Sequence, residues 1–137
     1  MIKDIKDIFS AKEVYNVYSA CMFKPTYEKF KTKSLSFQND FSISTFGYFF
    51  EDKIIGVIVV QETKNTIEII GISVINEKRH SGVGTKLINH IRENTIKQII
   101  AETDSEAVGF YKKYGFNVKE HTVSKADETY TRYLCCL

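Results

Sequence analysis

At 137 residues, 43% apolar and 26% charged, the chain has the make-up of a globular protein with room for one core. Its net charge of +2 excludes a nucleic-acid binder driven by bulk charge, while a local cationic site for an anionic ligand stays open. No apolar run reaches the ~18 residues of a membrane span, and Met1–Ile8 alternates charge with isoleucine instead of forming the apolar stretch of a secretory signal.

In chain order, Ser10 is expected to cap a first helix, whose Val14, Val17, Tyr18 and Cys21 recur at three- and four-residue steps. Thr26, behind Pro25, opens a second helix through Tyr27, Phe30 and Ser34. Phe46–Phe50 and Ile54–Val60 read as a hairpin across Glu51-Asp52-Lys53. A turn at Thr63–Asn65 leads to a strand, Thr66–Val74. Strict alternation puts its Glu68, Ile70, Ile72 and Val74 on one face and Ile67, Ile69 and Gly71 on the other. Apolar residues on both faces make it a central strand. After Ile75–Ser81 a helix runs from Gly82 to Asn94, with Val83, Leu87, Ile88 and Ile91 as its buried stripe. Gln98–Glu102 is a short strand. Asp104 or Ser105 caps a last helix carrying Ala107, Phe110, Tyr111 and Tyr114, which Gly115 ends. Phe116–Thr122 and Thr129–Leu137 are the final strands, joined by a Ser124–Glu128 loop. With no internal boundary or repeat, residues 1–137 are expected to form one α/β domain with a mixed, mostly antiparallel central sheet.

Cys21, Cys135 and Cys136 make an odd count without framework spacing. That fits a reducing cytoplasm, and no Cys/His set has the spacing of a zinc site, so no metal is expected.

The segment Arg79-His80-Ser81-Gly82-Val83-Gly84-Thr85 lies between a strand and an amphipathic helix. A helix start offers unpaired N–H groups and partial positive charge, glycines let a phosphate approach, and Arg79 adds a cation. The plain alternative is a helix start with two glycines for packing. A P-loop fails here, because Gly84-Thr85-Lys86 lacks the upstream glycine, and a dinucleotide fingerprint fails at Leu87.

The Arg79-x-x-Gly82-x-Gly84 turn, followed about twenty-five residues later by Ala107-x-x-Phe110-Tyr111-Lys112-Lys113-Tyr114-Gly115-Phe116, resembles the GCN5-related N-acetyltransferase (GNAT) superfamily over about Ile54 to Val118. The resemblance implies acetyl-CoA as co-substrate, with its pyrophosphate on the N–H groups of Arg79, His80, Ser81, Gly82, Val83, Gly84 and Thr85. It implies that the strand around Ile72–Val74 splays from Ile99–Glu102 and that the pantetheine arm pairs with Ile72 and Val74. The thioester carbonyl then takes a hydrogen bond near Ile72. Asp104 falls where the family has a cofactor-contacting asparagine, or else is a helix cap.

Acetyl transfer to an amine needs a base, a stabilised carbonyl oxygen and a donor for the leaving thiolate. By the resemblance, Tyr111 is the candidate acid at the coenzyme sulfur, against the alternative of a core aromatic. Glu68 is the candidate base, against a solvated strand residue. His80 and His90 read as water-facing, and Cys135 and Cys136 as strand residues. The expected reaction is direct attack in a ternary complex by a small-molecule or peptide amine, selected by the first two helices and the Ser124–Glu128 loop. Neither nucleic acid nor membrane is an expected partner, and the chain is expected as monomer or homodimer. The rival reading is a catalytically inactive acyl-CoA-binding regulatory or sensor module.

Overall fold

The computed structural model describes all residues from Met1 to Leu137. Strands β1 (Ile2–Asp4), β2 (Ile43–Phe50), β3 (Lys53–Glu62), β4 (Thr66–Val74), β5 (Gln98–Thr103), β6 (Asn117–Lys125) and β7 (Glu128–Cys136) form one seven-stranded sheet. Its order is β1-β2-β3-β4-β5-β7-β6, antiparallel throughout except for the parallel pair β4–β5. The first strand was not foreseen: three residues of alternating charge pair with Phe46–Tyr48. The β2–β3 and β6–β7 hairpins close on two residues of positive φ, Glu51 and Asp52 (50° and 64°) and Ala126 and Asp127 (50° and 65°). Such turns match the twist of the flanking strands. The expected Ser124–Glu128 loop is therefore a two-residue turn, Ala126–Asp127, inside a long hairpin.

Helices α1 (Lys12–Tyr18) and α2 (Tyr27–Gln38) cover one face of the sheet; α3 (Val83–Glu93) and α4 (Val108–Tyr114) cover the other. The apolar run Ile54–Val60 of β3 feeds both layers. Ile54, Val57 and Val59 pack with Phe9, Tyr18, Phe30 and Phe37 under α1 and α2. Ile55, Ile58 and Val60 pack with Val83, Leu87, Ile88 and Ile91 of α3. Burial of these branched and aromatic side chains is the main stabilising term.

Several helix boundaries differ from expectation. Ser10 does not cap α1; Ala11 holds that position with no side-chain bond, and Cys21 lies in a separate 3₁₀ turn, Ser19–Cys21. Thr26 does cap α2, accepting from the Lys29 N–H at 3.2 Å. In α4 the buried residues are Val108 and Tyr111, so the stripe sits one residue later than Ala107 would place it. Gly115 ends α4 at φ 121°, as expected.

Along β4 the strict alternation breaks. Val59 pairs with Gly71 but Val60 pairs with Ile69, so Ile70 is an extra residue in a bulge. Ile67, Ile69, Ile72 and Val74 consequently all pack toward α3. Gly71 and Ser73 face α1, where Ser73 Oγ donates to Val17 O at 2.6 Å. Glu68, two residues before the α1-facing Ile70, lies on the α1 side, opposite Ile72 and Val74.

Candidate active site

Strands β4 and β5 stay in register over only four pairs, from Thr66 opposite Gln98 to Ile69 opposite Ala101. β4 then continues along β3 to Val74, while β5 is held on its other edge by β7 through Thr103. The strands part after Ile69, which is the splay expected around Ile72–Val74. The Ile75 N–H donates toward β3, to Ile55 O at 3.0 Å. Backbone groups alternate sides along a strand, so the N–H groups of Ile72 and Val74 point the other way, into the gap, where Cys21 Sγ lies beside the Ile72 amide.

From Val74 the chain makes a 3₁₀ turn, Asn76–Lys78, and enters α3. Arg79 Nε donates to Val74 O at 3.2 Å and ties the turn to the strand end. Ser81 Oγ donates to Lys78 O. The first bond of the helical series runs from Lys86 N–H to Gly82 O at 3.0 Å, which leaves the N–H groups of Val83, Gly84 and Thr85 without a protein acceptor. No acidic residue stands in that first turn, and Arg79, His80, Ser81, Gly82 and Thr85 are exposed. This is an open, electropositive helix start.

Its two glycines have different reasons. Gly82 holds φ 88°, and a Cβ there would meet nothing within 4 Å. A Cβ on Gly84 would sit 3.0 Å from two carbons of the Phe110 ring. Gly82 shapes the open turn, while Gly84 lets α3 close on α4.

Tyr111 is 5% exposed, edge-on to Phe110 at 5.4 Å and to Phe116 at 5.2 Å. The core reading is thus realised, with Tyr111 packed between Phe110 and Phe116. Burial pushes its hydroxyl pKa up, with Cys135 and Cys21 adding to the effect, so the phenol keeps its proton at neutral pH. The hydroxyl has no protein partner and is not enclosed, because Thr45 Oγ1 is the one enclosed polar side-chain atom without a partner.

The remaining candidates fall out as follows. Glu68 is half-buried on the α1 side, at the paired end of β4 opposite Ile100. Asp104 Oδ1 accepts from the N–H groups of Glu106 and Ala107, both at 3.0 Å, so its carboxylate is committed to the turn that starts α4. His90 is half-buried against Phe46 at 4.7 Å, contrary to the water-facing reading. Tyr18 and Cys21, whose three-residue spacing has the look of an ordinary core stripe, lie against β4, with the Tyr18 hydroxyl end on Gly71.

Residues 43–118 match the family model described as an acetyltransferase (GNAT) domain. The chain belongs to the GNAT acetyltransferase family. Solved structures share its fold. The ribosomal-protein-S18-alanine N-acetyltransferase from Escherichia coli superposes with a TM-score of 0.75 at 14% identity, over 100% of this chain and 92% of that one. A GNAT acetyltransferase from Elizabethkingia anophelis with acetyl-CoA bound gives 0.72 at 18%, over 100% and 96%. An aminoglycoside 6'-N-acetyltransferase complexed with coenzyme A gives 0.73 at 14%, over 99% and 94%. No curated protein sequence matches this GNAT chain. At these identities the structural likeness speaks to fold, and the parting of β4 from β5 beside the α3 start is where this GNAT chain gathers donors without a backbone acceptor.

Proposed function

We propose that residues 1–137 act as one N-acetyltransferase domain that passes the acetyl group of acetyl-CoA directly to a primary amine. The observation that carries this reading is the continuity of two donor sets: the N–H groups of Ile72 and Val74 in the gap, and those of Val83, Gly84 and Thr85 at the α3 start, bridged by Arg79. A diphosphate suits the second set, lined by His80, Ser81 and Gly82, and an amide-bearing arm suits the first. Val74 O is already taken by Arg79, so Val74 contributes its N–H.

With the thioester carbonyl on the Ile72 N–H, an amine arriving from the α1–α2 side attacks the carbonyl carbon. A C–N bond forms as the C–S bond breaks. Glu68, on that same side, takes the amine proton through water, and Tyr111 supplies a proton to the departing thiolate. Solved relatives of this fold include enzymes named for a ribosomal protein and for an aminoglycoside, which supports an amine acceptor of peptide or small-molecule kind.

Acetyl-CoA at ~100 times its dissociation constant should stabilise the chain by about 2.7 kcal/mol. Free thiol should appear when an amine panel is added. Tyr111→Phe should lower turnover about tenfold or more, and Glu68→Gln should lower it as well while leaving acetyl-CoA binding in place. An unmoved melting temperature overturns the reading; a shift with no thiol release from any amine reduces it to coenzyme binding.

A further inference from the structure

The scheme above gives Tyr18 no part, yet its placement is unusual for a core residue. Tyr18 ends α1 and is 2% exposed, edge-on to Phe9 at 5.5 Å. Its hydroxyl end lies on Gly71, where a Cβ would come within 2.8 Å of ring carbons Cε1 and Cζ and closer still to the oxygen. Gly71 immediately precedes Ile72, whose N–H enters the gap. The Ser73 Oγ to Val17 O bond pins the end of α1 to β4 at this point.

The Tyr18 hydroxyl has no nitrogen or oxygen partner; its polar neighbour is the Cys21 thiol, which is a weak one. The oxygen is nevertheless not enclosed. Its bond to Cys21 Sγ, which also lies beside the Ile72 amide, is a weak one that a carbonyl oxygen can replace. Tyr111, on the α4 side, has a hydroxyl with no protein partner, and Cys21 lies within electrostatic reach of both hydroxyls. The two tyrosines lie in the cores on opposite faces of the sheet.

We infer that Tyr18 donates a hydrogen bond to the thioester carbonyl oxygen beside the Ile72 N–H, making a two-donor oxyanion site whose second donor comes from α1. The assignment rests on the proposed reading that the carbonyl lies at Ile72. Negative charge gathers on that oxygen during attack, so a fixed second donor lowers the barrier more than it tightens ground-state binding. Tyr18 keeps its proton throughout; Glu68 and Tyr111 handle the proton traffic.

Tyr18→Phe preserves the ring and its contact with Phe9, so the free protein should melt close to wild type and acetyl-CoA should raise its melting temperature as before. Isotope-edited infrared spectroscopy of bound acetyl-CoA carrying ¹³C at the carbonyl reads the bond itself. The carbonyl band should move to higher frequency in Tyr18→Phe, and kcat should fall about tenfold to a hundredfold with KM for acetyl-CoA unchanged. Cys21→Ala should leave the band in place. The same frequency in wild type and Tyr18→Phe overturns this assignment alone, as does a band that moves only in Cys21→Ala. Failure of acetyl-CoA to shift wild-type melting overturns the assignment together with the proposed function.

Discussion

Tyr18, Tyr111, Cys21 and Cys135 all hold their protons more tightly in the folded chain than in water, in each case chiefly because burial disfavours the anion. For Cys21 the residue is exposed but its sulfur turns inward, donating to Tyr18 O at 3.2 Å with the Ile72 amide beside it, and its pKa is raised to about 11. Once the pH passes the ordinary thiol value of about 8.5, the unfolded chain binds fewer protons than the folded one. Stability should therefore be full below that pH and decline as the pH rises, first through the thiols and then, above about 10, through the tyrosines. Urea midpoints taken between about pH 8 and 11 should fall steadily; a midpoint that rises over that window contradicts the burial of these groups. At this scale the placement of Tyr111 in the core and of Gly82 at an open helix start was legible from residue type and neighbours. That of Tyr18 was not, because helical spacing says which side chains share a stripe but not which strand position receives a tip.

Two elements carry the departures from simple periodicity. The extra residue at Ile70 reverses the faces of β4, so Glu68 loses its alignment with Ile72 and Val74 and gains the side of α1. A period-two count cannot register an inserted residue, since the signal lies in the partner strand and not in β4 itself. Gly84 shows the converse: the motif drew attention to it for phosphate approach, while its neighbour Phe110 makes it a packing glycine. Gly84→Val should therefore destabilise the fold by about 1–3 kcal/mol through overpacking against α4. Chemical denaturation without any ligand should detect that loss, and an unchanged midpoint would return Gly84 to a purely ligand-directed role.

At the scale of the molecule, the element order and the two-layer cover of a mostly antiparallel sheet were legible, because β3 is apolar on both faces and the helices carry one-sided stripes. The short β1 was not, since three residues give no usable period and its pairing depends on the distant Phe46–Tyr48. One property of the assembled sheet reaches further. Where β5 turns away toward β7, the ladder on that edge of β4 is interrupted, and a ligand arm bearing its own amides can stand in as a prosthetic strand. Deuterium uptake at Ile72 and Val74 should then slow on adding coenzyme A, while the already sandwiched β3 keeps its rate. The protein would complete its own β-architecture only while loaded, which couples mechanical cohesion across its two halves to the supply of its co-substrate.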